Sequence, residues 1–286
     1  MYILFADSGS TKTEWIITDK NYNYVSHFNT IGLNPYFVTE KRIYDEINSA
    51  YPTIPSVSLI EKLYFYGSGC EERDDQPHLK NALKKIFKNS EVHVFSDMLG
   101  AARAILKSDF GIAAIIGTGT NSCLYDGNNI IQNAISLGYI LGDEGSGAYI
   151  GKIFVKNYLE RKFNETLNNQ ILIETGATHS SILNAIYTMP NPSKFLAGFC
   201  SFIYQHLEEL SLQSIVNDCF NSFFEKYITI FRNYNTFPLG FCGGISKNFR
   251  NIIFNTAKTY GFENIIFIDN PLKEIIEYHK IIDLCL

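Results

Sequence analysis

The sequence predicts an α/β protein of two domains, each built on a mixed sheet, and three observations lead there. Strand-length apolar runs alternate with helix-length stretches in both halves. A strand, a Gly/Ser/Thr-rich turn and a hairpin occur twice, roughly 110 residues apart, the turns beginning at Asp7 and Gly117. A chain of 286 residues and 32.5 kDa also exceeds what one hydrophobic core usually holds.

The elements follow in order. An apolar strand over Tyr2 to Ala6 leads into a small-residue turn, Asp7 to Thr13, then a strand over Glu14 to Thr18. The Asp/Asn-rich turn at Asp19 to Asn23 before a strand at Tyr24 to Phe28 is a hairpin signal. A helix around Lys41 to Ala50, a strand at Lys62 to Tyr66 and a helix near His78 to Lys88 come next. A strand at Glu91 to Phe95 and a helix from Asp97 to Lys107 complete the first half. The pattern restarts with the apolar run Ile112 to Ile116, the turn Gly117-Thr118-Gly119-Thr120-Asn121, and strands at Ser122 to Tyr125 and Ile130 to Ile135. Residues Ser146 to Asn233 read as mostly helical. A strand (Phe237 to Cys242), a helix from Ser246, a strand (Asn264 to Ile268) and a helix after Pro271 close the chain. The domain boundary is expected near Ser108 to Gly111, giving domains 1–110 and 111–286 with a cleft between them suited to a small molecule.

Composition narrows the function. Twenty-four Lys and Arg against 29 Asp and Glu give a net charge of −5 and a pI near 5.7. With no basic run, binding to nucleic acid or an anionic membrane is not expected. The longest apolar runs are strand length, far short of a membrane span. The opening Met1 to Ala6 has no positive region of a signal peptide. Six cysteines (70, 123, 200, 219, 242 and 285) show no C-x-x-C and no zinc spacing, so reduced buried thiols in a cytoplasmic protein are expected.

The two turns carry the chemistry. Small residues let backbone N–H groups approach an anion, and hydroxyls add donors. Ser8, Gly9, Ser10, Thr11, Lys12 and Thr13 follow one apolar strand; Gly117, Thr118, Gly119 and Thr120 follow another. One such turn is more often a plain hairpin, whereas two at equivalent positions of a duplicated unit could clamp a polyphosphate. A neutral turn with one carboxylate, Asp7, suits a nucleotide carried with Mg²⁺, because hard cations prefer carboxylate and water oxygen. Other nucleotide and hydrolase signatures are missing: there is no G-x-x-x-x-G-K-[ST], no H-E-x-x-H and no G-x-S-x-G. Gly145-Ser146-Gly147 opens a helix without the strand that a dinucleotide fingerprint needs. Gly243-Gly244 ends a strand before a helix and could pack flat on a purine or ribose, or simply connect the two elements.

Three motifs then stand in order: Asp7-x-Gly9-x-Thr11-Lys12-Thr13, Gly117-Thr118-Gly119-Thr120-Asn121, and Gly243-Gly244-Ile245-Ser246-x-Asn248. Together they resemble the phosphate-1, phosphate-2 and adenosine motifs of the sugar kinase, Hsp70 and actin superfamily. Leu137 to Gly147, containing Gly142-Asp143-Glu144-Gly145-Ser146, resembles a G-W-G-x-x-x-G-D-E-G-S stretch. That stretch belongs to the BadF/BadG/BcrA/BcrD ATPase group, which includes N-acetylglucosamine kinase. The resemblance covers essentially the whole chain. It implies two ribonuclease H-like (actin-like ATPase) domains around a central cleft, the C-terminal one carrying a helical insertion and the helix 271–286 completing the N-terminal one.

The resemblance also implies roles. ATP would be held by Ser8 to Thr13, Gly117 to Thr120, Gly243, Gly244 and Asn248, with Mg²⁺ held through water by Asp7. Asp97 would be the catalytic base and a sugar contact. Asn34, Ser68, Thr118, Asn121 and Asp143 would hold the sugar. On the residues alone Asp97 reads first as a helix N-cap; loop geometry is an equal reading for Asn34 and Ser68, and a solvated turn carboxylate is the lesser reading for Asp143. Glu144 is less readily assigned, because adjacent carboxylates must point apart. Tyr139 stands where relatives often carry Trp, and Asp7-Ser8-Gly9 where they carry Asp-Gly-Gly.

The function implied is ATP-dependent phosphorylation of the 6-hydroxyl of N-acetylglucosamine, with N-acetylmuramate and glucosamine as close competitors. The alternative is an ATPase that drives a conformational change in a partner protein, as in the dehydratase-activator branch. That branch needs paired cysteines beside the second phosphate turn, and only Cys123 is near. A nucleotide-binding sensor without catalysis is a third reading. The apolar faces of Phe195 to Leu210 and Phe220 to Phe231 read as core, and a homodimer through the C-terminal half is compatible with the resemblance.

Overall fold

The computed structural model describes residues 1–9, 11–53, 55–70 and 77–284. In chain order these form β1 (Tyr2–Ser8), β2 (Lys12–Asp19), β3 (Tyr24–Ile31), α1 (Glu40–Ala50), β4 (Ile60–Gly67), α2 (Pro77–Ile86), β5 (Glu91–Ser96) and α3 (Asp97–Leu106). Then come β6 (Gly111–Ile116), β7 (Thr120–Tyr125), β8 (Ile130–Asn133), α4 (Gly138–Leu141), α5 (Gly147–Leu159), α6 (Glu165–Thr175), α7 (His179–Tyr187), α8 (Pro192–Gln205) and α9 (Leu210–Phe223). The chain ends with β9 (Leu239–Cys242), α10 (Gly244–Asn248), α11 (Arg250–Thr259), β10 (Ile265–Phe267) and α12 (Pro271–Leu284). Two compact units result: Met1–Ser108 with Gly127–Asn129 and Asn270–Leu286, and Asp109–Asp126 with Ile130–Asp269.

Each unit has a five-stranded mixed sheet of the same design, β3-β2-β1-β4-β5 in the first and β10-β9-β6-β7-β8 in the second. In the first, β1 and β2 form the antiparallel hairpin that the Gly/Ser/Thr turn predicts, while β4 and β5 run parallel to β1. Side chains alternate across β1. Leu4 and Ala6 join a core with Trp15, Phe65 and the apolar faces of α1 and α2. Phe5 faces the opposite side, against His279 of α12 and Tyr64 of β4.

That opposite side holds a polar chain. Arg103 Nη1 donates to Tyr66 Oη at 3.0 Å, and Tyr66 Oη lies 2.8 Å from His279 Nε2. Tyr66 Oη accepts from Arg103 and meets a neutral His279 in a contact to which either partner can donate. Burial, assisted by Arg103, indeed pushes the imidazole down to about 3. α12 is thereby joined to α3 and β4, and Lys107 pairs with Glu274 at 2.6 Å on the same seam.

In the second unit the helices α5 to α9 are packed on β6, β7 and β9 through a phenylalanine-rich core that includes Phe154, Phe199, Phe220, Phe223 and Phe241. The apolar faces expected of 195–210 and 220–231 are core for this reason. β6, buried nearly throughout, is a central strand between β7 and β9, which explains its unbroken apolar run. All five cysteines among the described residues are free and buried; Cys285 lies outside them. No helix among the described residues is long and apolar enough to cross a membrane.

Candidate active site

In the first unit the strand register gathers the predicted residues at one edge. Ser8 is level with Gly67, and Gly67 with Ser96. Asp7 and Ser8, Ser68, and Asp97 therefore stand at the carboxyl ends of three neighbouring parallel strands, where open α/β sheets place their ligands. The expected turn of seven residues is shorter than predicted: Asp7 and Ser8 are the end of β1, paired with Glu14 and Thr13 of β2. The reason is the buried Ser8–Thr13 hydroxyl contact of 2.8 Å, which zips the hairpin to its tip. Ser8 Oγ also accepts the Leu33 N–H at 3.0 Å, and Thr13 Oγ1 donates to the Ile31 carbonyl. These two hydroxyls are interior fasteners. Gly9, Thr11 and Lys12 are the exposed part of the turn, and Ser10 lies outside the described residues.

Asp97 opens α3 but does not cap it. The preceding Ser96 does, its Oγ accepting the Leu99 N–H at 3.2 Å, which leaves the carboxylate unused by the N-cap. Burial raises Asp97 to about 6, against the opposing pull of the N–H groups of Met98 and its own residue. Burial first, then the carboxylates of Asp97 and Glu14, raise Asp7 to about 7; Lys12 pulls it down. Two half-buried carboxylates that repel each other fit a divalent cation. No cluster of three or more potential ligands exists among the described residues, so no all-protein cage is built there. Asn34 and Ser68 meet at 3.4 Å from Asn34 Nδ2 to Ser68 Oγ, beside the Ser8 carbonyl that accepts the Ser68 N–H. Asn34 also shapes its own turn by accepting the Tyr36 N–H.

In the second unit the Gly117-Thr118-Gly119 turn links β6 and β7, closed by the Gly117 N–H donating to Gly119 O at 2.9 Å. The N-terminus of α5 rests on it: the Gly147 and Ala148 N–H groups donate to the Gly117 and Thr118 carbonyls. Thr120 and Asn121 are already in β7, and Thr120 Oγ1 bonds back to Ile115 O. Gly243 sits at the end of β9 beside β6; its φ of 107° and an approach that would put a Cβ 2.5 Å from the Ile116 carbonyl both demand glycine. Helix α10 starts at Gly244 rather than at the predicted Ser246, with Ser246 Oγ bonded to Gly243 O and Asn248 exposed at its end.

Asp143 is buried, contrary to a solvated turn residue. Its carboxylate accepts the Thr120 N–H and lies so close to Gly119 that a Cβ there would be 3.0 Å from Oδ2. Burial raises its pKa from the ordinary aspartate value. Glu144 turns the other way, to Lys226 and, at 3.4 Å, to Tyr227 Oη. Lys226 and Tyr227 are partners that sequence reasoning missed, since nothing in the local pattern ties them to a site 84 residues upstream in the case of Tyr227 and Asp143.

No protein-family model matches the chain, and no curated protein sequence does. Among solved structures, the putative N-acetylglucosamine kinase of Porphyromonas gingivalis shares 38% identity over 97% of this chain and 98% of its own, with a TM-score of 0.92. The chain belongs to that protein's family. A second putative N-acetylglucosamine kinase, from Chromobacterium violaceum, shares the fold at 14% identity and a TM-score of 0.71, covering 97% of this chain and 98% of its own. So does a ROK family glucokinase of Streptomyces griseus, solved with glucose and AMPPNP, at 15% identity, 99% coverage of both chains and a TM-score of 0.58. The architecture is thus the α/β, actin-like ATPase fold expected.

Proposed function

We propose that the chain is an ATP-dependent sugar kinase that phosphorylates the 6-hydroxyl of an amino sugar, N-acetylglucosamine first and N-acetylmuramate or glucosamine as competitors. The observation that carries the reading is Asp97. It is a half-buried carboxyl at the carboxyl end of a parallel strand, relieved of capping by Ser96 and raised to about 6, close to working pH. A general base is most effective when its pKa lies near the operating pH. The kinship with a protein named as a kinase of this sugar supports the same assignment.

Phosphoryl transfer depends on positioning and charge stabilisation more than on covalent chemistry. In this reading Asp97 accepts the proton of the sugar hydroxyl as the hydroxyl oxygen attacks the γ-phosphorus and the bond to the β–γ bridging oxygen breaks, releasing ADP. Asp143, Asn34, Ser68 and Asn121 hold the sugar's other polar groups. The exposed turn at Gly9, Thr11 and Lys12, together with the Gly117–Thr120 turn, contacts the phosphates. Gly243, Gly244 and Asn248 lie against the nucleoside. Asp7 would hold Mg²⁺ through water, and the bound ion would supply neutralisation of phosphate charge.

The test is ADP release with Mg·ATP against N-acetylglucosamine, N-acetylmuramate, glucosamine and glucose, beside a control without sugar. Turnover on an amino sugar over a quiet control is the expected result. Release that ignores every sugar would overturn it and point to a partner-coupled ATPase; silence with all four would also count against it.

A further inference from the structure

Helix α9 runs into a π-helical turn, Phe224–Ile228, whose Thr229 N–H donates to the Phe224 carbonyl five residues back at 2.9 Å. Such turns are rare and occur frequently at functional sites. This one lies in the core of the second unit, where widening a helix disturbs close packing and needs a compensating reason.

The turn aims two adjacent side chains at the Asp143-Glu144 pair. Lys226 pairs with Glu144 Oε1, and Tyr227 Oη lies 3.4 Å from Glu144 Oε2. The same Tyr227 oxygen accepts the Asp143 N–H at 3.0 Å. The Tyr227 carbonyl is in turn held by Ser122 Oγ at 2.5 Å, which fixes the turn to β7, the strand that starts at Thr120. Tyr227 is fully packed, its ring stacked on Phe223 at 5.6 Å.

Asp143 needs such support. Its φ of 58° lies in the left-handed region, which a non-glycine residue keeps only when its surroundings over-determine it. Its N–H goes to Tyr227, its carbonyl to the Ser146 N–H, and its carboxylate to the Thr120 N–H. Two of these partners are local to the Gly117–Ser146 framework; the third comes from the π-turn.

We propose that Tyr227 is a positioning residue for Asp143: by accepting the Asp143 N–H, it locks the left-handed backbone that aims the carboxylate over the Gly117–Thr120 turn, where a substrate hydroxyl is held. Glu144 is the next residue in the chain of support. Its carboxylate accepts the Tyr227 O–H, turning the phenol's lone pair toward Asp143, and Lys226 balances its charge. The substrate part of the proposal rests on reading Asp143 as a sugar-holding carboxylate.

Tyr227→Phe keeps the ring and its stacking and removes the hydroxyl, which accepts the Asp143 N–H and donates to Glu144. One buried donor is then left unsatisfied, an effect of roughly tenfold in the constants it governs. The sugar KM should rise by about that factor while the KM for ATP stays within about twofold, and the Asp143 amide should exchange with solvent faster in NMR. A merely structural tyrosine would lower the melting temperature without separating the two KM values. Ser122→Ala, which frees the turn but leaves the phenol in place, should move the same quantities in the same direction by less. It carries the test if Tyr227→Phe does not fold. An unchanged Asp143 amide exchange, or faster exchange with an unchanged sugar KM, overturns the proposal. If the wild-type protein shows no sugar-dependent turnover, the kinase reading fails instead, and amide exchange alone then decides whether Tyr227 holds Asp143.

Discussion

The first unit's carboxylates, Asp7 and Asp97, and the second unit's, Asp143 and Glu144, are both acidic pairs beside small-residue turns, yet the fold charges them differently. Asp7 and Asp97 reach the same sheet edge from separate strands. Burial raises both, and the repulsion of Asp97 adds to the burial of Asp7. The adjacent Asp143 and Glu144 diverge. Glu144 is neutralised by Lys226, and Asp143 is tied to backbone N–H groups. One pair is therefore poised to take up protons or a cation, whereas the other is fixed for orientation. Proximity in sequence says little about whether two carboxylates act on each other; what matters is which partners the fold brings to each.

The largest expected break in this comparison is Asp97→Asn. A general base contributes about 10²–10⁴-fold, so kcat should fall by at least about two orders of magnitude while the sugar KM changes little. Near-normal turnover would remove Asp97 from its role. In the wild type, kcat/KM should fall as pH drops through about 6, because the base must be ionised and its pKa lies there.

Next in size is Asp143→Asn. Losing a charged hydrogen bond to a sugar hydroxyl costs about 1.5–3 kcal/mol, or roughly 10–100-fold in the sugar KM. The ADP-release assay at varied sugar reads it directly, and an unchanged KM would show that the carboxylate serves only the turn.

Asp7→Asn sharpens the contrast through stability. A carboxyl raised from 3.8 to about 7 holds its proton more tightly in the folded state. Its contribution therefore favours folding at low pH and is lost as pH rises through about 7. Asparagine cannot ionise and escapes that loss. In metal-free buffer the variant should be more stable than wild type above neutrality, by on the order of 1–3 kcal/mol, with the gap closing toward pH ~4. Calorimetric melting at several pH values measures it; a gap that does not change with pH would mean Asp7 is not strained by burial.

The smallest effect is expected of Glu144→Gln, which removes the ion pair with an exposed Lys226 but keeps a polar group near Tyr227. A cost of about 1 kcal/mol or less in stability, with kcat within a few-fold of wild type, fits a supporting residue. A collapse of kcat in urea-matched, folded protein would make Glu144 a direct participant.

Much of the fold was legible because its signals are local. The apolar runs of β1 and β6, the turns at 19–23 and 117–119, and the helix after Pro271 each lie within a window of about ten residues. The turn at 7–13 was read too long because its end depends on the Ser8–Thr13 contact across the hairpin, which strand propensity does not encode. Of the candidate residues, Asp97 could not be told from a cap until Ser96 was seen to be the cap. Tyr227, Lys226 and the Arg103–Tyr66–His279 chain left no trace in spacing, since each joins segments far apart in the chain.

The sequence by itself determined the α/β alternation, the duplicated strand–turn–hairpin, the small-residue turns and the acidic residues beside them, because backbone preference and hydrophobic period are properties of neighbouring residues. Only the tertiary structure decided which carboxyl is free, which is paired and where each points. Charge state depends on burial and on partners within a few ångströms, and those partners reach Asp7 from the start of α3 and Asp143 from the π-turn after α9.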